Sequence, residues 1–348
     1  MSLLSRWDEV KERADWQAIL IGNGFSRHIW SGFDYKSLYD VATASATPLG
    51  PQEQAVFRHL GTHDFEYVLR VLHYARSVNQ ALGLDVEKVT RAYRAVQQGL
   101  GAAVARTHIP WDMVPRPVLE KIRSTLLKYR LVFSTNYDLL IYWSIVCGEQ
   151  KPHDVKDYFW TRRDERWLSF NLFDTDTPGG VTRVLYLHGG LHIYRLPDGV
   201  TAKYVPDMGE SLLDSFQRFM HCDDLAGPLP LIVTEGTSAD KRREIQSDPY
   251  LSFAYQQLAT YDGPIVIFGH RLGGADDHIV EALRSAGRRP VAISLRRGSE
   301  KEMMQRQARY CEKLPEACLY FFDAASHPLG SESLKVLPPD SEEPGFPA

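Results

Sequence analysis

The chain has 348 residues, 44% hydrophobic and 24% charged, and a formal net charge of −4 at pH 7. These values are typical of a globular protein with a sizeable core, and the mild negative charge excludes a general electrostatic field for nucleic acid. No segment reaches the roughly 18 apolar residues that a membrane-spanning helix needs. Because the N-terminal segment also lacks an apolar stretch of signal-peptide length, we expect a cytoplasmic protein without a membrane partner.

The cysteines are scattered along the chain, at Cys147, Cys222, Cys311 and Cys318. No two of them form a C-x-x-C pair, and their spacing does not match that of a zinc finger. We therefore expect reduced thiols and no bound zinc.

The first predicted strand is the apolar run Ala18–Ile21, which has the length of a buried parallel strand. It leads directly into Gly22-Asn-Gly-Phe-Ser26, where two glycines allow a tight turn into a helix. A helix N-terminus carries positive partial charge. The segment therefore predicts a turn that binds phosphate.

The long segment after this turn, residues 34–128, has apolar residues at helical spacing and predicts a helical insert. At roughly 90 residues it exceeds a simple crossover between strands. Residues 149–181 have no clear periodicity, so we expect them to be irregular. Residues 329–348 are rich in Pro, Ser and Glu and predict a disordered tail after a domain that spans 1–328.

Six further apolar segments predict strands, and helical patterns separate most of them. They cover residues 130–135, 183–187, 229–234, 264–268, 290–295 and 318–322. This alternation predicts an α/β fold with a Rossmann-like open parallel sheet, in which ligands bind at the carboxyl ends of the strands. Five strand ends carry polar residues there, namely Asn23, Asn136 with Asp138, His188, Thr237 with Ser238, and His270.

Three catalytic classes fit these residues poorly. The segment 269–273 has the spacing of a nucleophile elbow, but its centre is Arg271 rather than a serine, so a serine hydrolase is not expected. A dehydrogenase is disfavoured because Arg27 stands where the dinucleotide fingerprint has its third glycine. A metal site is disfavoured because the candidate ligands do not have the H-E-x-x-H spacing; they are His188, His192, His270 and His278.

Several short blocks, in order, resemble the motifs of the sirtuin-like superfamily. The similarity is closest to bacterial sirtuin-like proteins that consume NAD in antiphage defence, and it spans about residues 16–295. The blocks are Gly22-Asn-Gly-Phe-Ser26, Ser134-Thr-Asn-Tyr-Asp138, Leu187-His-Gly189 and Gly269-His-Arg-Leu-Gly273 with Asp277-His278.

The resemblance implies that NAD is the substrate. Asn136 matches the asparagine beside the nicotinamide ribose, and His188 matches the catalytic histidine. The resemblance also implies that residues from all the blocks hold NAD, with a looser match for Thr237 and Ser238. These are Gly22, Asn23, Gly24, Phe25, Ser26, Asp138, Gly189, Thr237, Ser238, Gly269, His270, Asp277 and His278.

The chain also departs from the protein deacylases of this superfamily. It lacks their zinc module with two C-x-x-C pairs, and it reads Trp30-Ser-Gly-Phe-Asp-Tyr-Lys-Ser where they have Pro-Asp-Phe-Arg. We therefore expect an NAD glycohydrolase that releases nicotinamide and ADP-ribose. A non-catalytic module that senses NAD or a nucleotide derivative is the alternative, and a deacylase is third. Because a toxic NADase needs control, we expect a homo-oligomer or a controlling partner protein.

Overall fold

A computed structural model describes residues 4–34, 37–44, 49–147, 154–207, 210–221, 227–233 and 236–337. The strands are β1 (Ala18–Ile21), β2 (Leu131–Ser134), β3 (Val155–Lys156), β4 (Phe159–Arg162), β5 (Trp167–Phe170), β6 (Thr182–Tyr186), β7 (Gly189–Arg195), β8 (Thr201–Tyr204), β9 (Leu229–Ile232), β10 (Ile265–Phe268), β11 (Pro290–Leu295) and β12 (Cys318–Asp323).

The helices lie before, between and after these strands. They are α1 (Trp7–Val10), α2 (Asn23–Ile29), α3 (Leu38–Thr43), α4 (Pro51–Leu60), α5 (Phe65–Ala81), α6 (Glu87–Thr107), α7 (Arg116–Leu126), α8 (Leu140–Val146), α9 (Leu212–His221), α10 (Ser238–Ser247), α11 (Pro249–Thr260), α12 (Asp277–Ser285) and α13 (Glu300–Lys313).

The central element is a parallel sheet with the strand order β12-β11-β10-β1-β2-β6-β3. Ile19 of β1 lies between Val132 of β2 and Val266 of β10, and all of β1 is buried because helices cover both faces of the sheet. This confirms the predicted Rossmann-like α/β class. From β1 the chain continues to β2, the neighbour on one side of β1, and only later forms β10, the neighbour on the other side of β1. The topological switch point, where such sheets bind ligands, therefore lies between β1 and β10.

A second sheet is antiparallel, with the order β4-β5-β8-β7-β9. The observed strands correct two predictions. Residues 149–181, predicted to be irregular, contain β3, β4 and β5 in their described part. The segment 229–234, predicted for the parallel sheet, supplies β9, which pairs antiparallel with β7. The two strands approach closely at Gly189, which has φ +70°. A Cβ at this position would lie 1.9 Å from the Leu231 carbonyl oxygen, so the close approach requires glycine.

Helices α3–α7 fill the insert between β1 and β2, as predicted for residues 34–128. The Asp64 carboxylate starts α5 by accepting hydrogen bonds from the backbone N–H groups of Glu66 and Tyr67. Leu72 of α5 and Val96 of α6 are buried core residues. Among the described helices of the chain, none is both long and apolar enough to cross a membrane.

The predicted disorder of residues 329–348 is wrong at its beginning. Leu329 and Leu334 lie in short 3-10 turns and are buried against the domain, and the Val336 N–H donates to the Ile29 carbonyl at 2.8 Å. These apolar side chains anchor a segment whose composition is otherwise polar. Residues 338–348 lie outside the described part of the chain, as do Cys222 and the predicted end of the fourth strand at residues 234–235.

Candidate functional site

A cavity of about 730 Å³, called here the central cavity, opens at the carboxyl edge of the parallel sheet beside the switch point. Residues that follow β1, β2, β6 and β10 meet in its wall, so the edge predicted from the strand ends exists in the fold. Its wall includes Asn23, Gly24, Arg27, Asn136, Asp138, His188, Lys241, Gly269, His270, Arg271 and Asp276.

The glycines of the predicted phosphate turn bring the loops after β1 and β10 into contact. The Gly24 N–H donates to the Gly269 carbonyl at 2.8 Å, and a Cβ on Gly24 would lie 2.6 Å from that oxygen. A Cβ on Gly22 would lie 2.7 Å from His270 Cα. The Gly22 N–H donates to the Phe268 carbonyl at 3.0 Å, so the N–H groups of both glycines are engaged within the protein. The two glycines permit a close approach of backbones at the switch point, which we call the glycine saddle.

Ser26, Asn136 and Asp138 form one buried hydrogen-bond chain. Asn136 Nδ2 donates to Ser26 Oγ at 2.8 Å, and Ser26 Oγ donates to Asp138 Oδ2 at 2.5 Å. Burial raises the pKa of Asp138 to about 6, against the opposing effect of its hydrogen bonds from Ser26 and the Leu140 N–H. Asn136 Oδ1 is buried and has no hydrogen-bond partner among the described residues. The amide is therefore held on one side and has an unused acceptor on the other.

His188, at the end of β6, begins a second chain of hydrogen bonds. Its Nε2 lies 2.9 Å from His278 Nε2, and His278 Nδ1 lies 3.1 Å from Ser238 Oγ. Burial lowers the pKa of His188 well below its usual range and that of His278 to about 4, and the nearby Lys241 ammonium acts in the same direction. Both imidazoles are therefore neutral at pH 7, and one ring must donate to the other.

An ion pair between Lys241 and Asp276 closes this side of the cavity. Lys241 Nζ donates to Asp276 Oδ1 at 2.9 Å, and His270 Nε2 lies 3.8 Å from Asp276 Oδ2. Although burial disfavours the charged carboxylate, the Lys241 cation and the surrounding histidines hold the pKa of Asp276 well below its usual range. The carboxylate is thus a fixed negative charge beside the three histidines.

The donor atoms of His188, Asp276 and His278 lie within 4.8 Å of one another, which is close enough to hold a metal ion. In the structure these atoms bind each other and Lys241. An ammonium group on the carboxylate opposes a second cation. We therefore interpret the set as a hydrogen-bond network. His192, another candidate ligand from the sequence, lies on β7 and packs against the rings of Tyr142 and Tyr186.

Several predicted site residues lie elsewhere. Phe25 is a core residue, and Gly189 forms the buried turn into β7. Thr237 and Ser238 line a separate cavity of about 510 Å³, and only the Ser238 hydroxyl reaches the site, through its hydrogen bond with His278. Asp277 forms an ion pair with Lys313, and the neighbouring Asp276 faces the central cavity instead.

The sequence reasoning missed four charged residues of the site: Arg27, Lys241, Arg271 and Asp276. Arg27 breaks a dinucleotide fingerprint and Arg271 breaks a nucleophile elbow. The available signal was that Arg27 directly follows one glycine-rich block and Arg271 lies inside another, since arginine binds phosphate well. Lys241 and Asp276 gave no such signal, because their pairing depends on how α10 packs beside α12 and the turn that precedes it.

The fold and site together define an α/β protein with a polar cleft at the switch point of a Rossmann-like parallel sheet. A family model described as a domain of unknown function, DUF4917, matches residues 19–329, and the chain belongs to this family. The matched range includes every residue of the central cavity discussed above. No curated protein sequence matches the chain.

Proposed function

We propose that the chain is an NAD glycohydrolase, which cleaves the bond between nicotinamide and ribose and releases nicotinamide and ADP-ribose. One observation carries the proposal. Polar residues that follow three neighbouring parallel strands converge on the central cavity at the switch point: Asn23 after β1, Asn136 after β2 and His188 after β6. This edge is where open parallel sheets bind nucleotides. The resemblance to sirtuin-like proteins supports the same substrate.

Asn136 is proposed to position the reacting groups. Its amide nitrogen is fixed by Ser26, which Asp138 holds in turn. The remaining acceptor, Oδ1, accepts a hydrogen bond from a ribose hydroxyl or from the attacking water. Fixing an amide on one side reduces the entropy lost when the reactants are aligned, and such alignment accounts for a large part of many rate enhancements.

His188 is proposed as the general base. In the tautomer where its Nε2–H donates to His278, Nδ1 keeps a lone pair for the proton of water, and the Asp276 carboxylate favours the cation that forms. Water then forms the new C–O bond at the ribose, and nicotinamide leaves with the electron pair of the broken C–N bond. NAD and water thus give nicotinamide, ADP-ribose and one proton, and no step requires a metal ion.

The test is nicotinamide release by the purified chain, with NAD binding measured beside it by calorimetry. Asn136→Ala should lower turnover by about 100-fold or more, while NAD affinity falls much less because Arg27 and Arg271 contact other parts of the dinucleotide. His188→Gln keeps a hydrogen-bonding group but no base, and it should abolish release. Gln52→Ala, at an exposed position of α4, is the control with unchanged turnover.

Equal losses of binding and turnover in Asn136→Ala would make Asn136 only a binding residue. If the wild-type chain binds NAD but releases no nicotinamide, even in the presence of candidate activators, the result would reject hydrolysis and favour the sensing role.

The resemblance further suggests antiphage defence, and a defence NADase needs control by self-association or by a partner. An exposed apolar stripe on α5 supports such a contact: it consists of Tyr74, Val78 and the following Leu82, at successive four-residue spacing.

A further inference from the structure

A second cavity of about 990 Å³, called here the arginine cavity, adjoins the central cavity at the glycine saddle. It lies at the carboxyl ends of β10, β11 and β12, and α13 forms one wall. The Tyr310 hydroxyl of α13 donates to the His270 carbonyl at 2.7 Å and ties this wall to the central site. A ligand that crosses the switch point therefore extends from the first cavity into the second.

The wall of the arginine cavity carries a large excess of positive charge. Six arginines and one lysine line it, against two carboxylates. Two of these cations are paired within the wall, and a third is paired with an aspartate of the central cavity. The pairs are Arg297 with Asp323, Lys335 with Glu332, and Arg27 with Asp34.

Four arginines of the wall have no carboxylate partner among the described residues: Arg271, Arg296, Arg306 and Arg309. They also lie close to one another. Burial, together with the charges of Arg27, Arg271 and Arg306, lowers the pKa of Arg296. Arg27 Nε is buried and has no hydrogen-bond partner in the described part of the chain. Clustered guanidinium groups repel each other until an anion binds between them.

These cations fall into two sets. Arg27 and Arg271 line both cavities, so they lie beside the glycine saddle, where a pyrophosphate would cross. Arg296, Arg306 and Arg309 line only the arginine cavity. An unphosphorylated adenosine brings no negative charge to this second set. The charges match a ligand that carries a further phosphate beyond the pyrophosphate.

We infer that Arg296, Arg306 and Arg309 bind a phosphate ester on the adenosine side of the dinucleotide, so that the chain prefers NADP over NAD. Guanidinium groups match phosphate oxygens with paired hydrogen bonds, which are strong because both partners are charged. The inference rests on the proposed function for the position of a dinucleotide in the cleft. It does not depend on hydrolysis.

The experiment measures binding of two fragments by calorimetry, adenosine 2′,5′-bisphosphate and 5′-AMP, to the full chain. The bisphosphate should bind at least about tenfold more tightly, the scale of one charge-assisted contact. The preference should weaken as salt rises. The double variant Arg306→Gln with Arg309→Gln should bind 5′-AMP like the wild type and lose the preference. Arg91→Gln, an exposed arginine of α6, should retain it.

The same preparations are tested with NADP and NAD, where the wild type should show the same preference. Equal affinity for the two fragments, or a preference that survives the double variant, would overturn the inference and leave NAD cleavage standing if nicotinamide is released. Failure of both fragments to bind a folded chain would also overturn it. NADP preference without nicotinamide release would support the inference and reject the proposed hydrolysis.

Discussion

Asp138 provides a direct test of the buried network behind Asn136. Its carboxylate is almost fully buried and accepts hydrogen bonds from Ser26 and from the Leu140 N–H, yet burial still raises its pKa from 3.8 to about 6. Replacing Asp138 by Asn keeps the shape and removes the ionisable group. The amide still offers an oxygen to the Leu140 N–H and places its NH₂ beside Ser26 Oγ, so we expect Asp138→Asn to fold.

The size of the expected change in stability follows from the linkage between protonation of Asp138 and folding. Below pH 3.8 the carboxyl is protonated in both the folded and the unfolded chain, and it adds no pH dependence. Between pH 3.8 and about 6 the folded state holds the proton that the unfolded state has released, so the stability of the wild type falls as pH rises. Above about 6 the loss is complete. A difference of about 2.2 between the two pKa values corresponds to roughly 3 kcal/mol.

The assay is urea unfolding of the ligand-free chain at several pH values from 4 to 8. The free energy of unfolding of Asp138→Asn minus that of the wild type should rise by roughly 2.4 kcal/mol across this range, because the rest of the change falls below pH 4. Asp112→Asn, at an exposed site, is the matched control variant. A flat difference for Asp138→Asn would refute the reasoning, because it would mean that Asp138 titrates alike in the folded and unfolded chains.

Two further predictions test the glycine saddle and the α5 stripe. Gly24→Ala should lower the free energy of unfolding by about 1–3 kcal/mol and weaken NAD binding, because its Cβ would press on the Gly269 carbonyl. In the control Gly179→Ala the new Cβ meets no atom within 4 Å, so neither stability nor binding should change. Wild-type stability and NAD binding in Gly24→Ala would contradict this prediction. The wild type should self-associate in gel filtration, and Val78→Asp with Leu82→Asp should elute later, unlike Phe173→Asp at another exposed apolar site. A wild type that elutes as a monomer at every concentration would reject self-association through this stripe.

Local patterns in the sequence determined the parallel sheet and most of the polar edge. Ala18–Ile21 and the segments 130–135 and 264–268 are short apolar runs buried on both faces, so their strand character does not depend on distant contacts. Parallel strands place their carboxyl ends at one edge. Asn136, His188 and the glycine turn could therefore be assigned to a common cleft before any tertiary contact was known.

Tertiary pairing decided the second sheet and the charges of the site. Whether the run at 229–234 joins the parallel sheet or pairs with β7 depends on a partner strand distant in sequence, and the apolar pattern fits both. The same holds for Asp276 and Asp277, adjacent carboxylates of which one pairs with Lys241 in the site and the other with Lys313. An ion pair is a property of two helices packed together, so its partners emerge only from the fold.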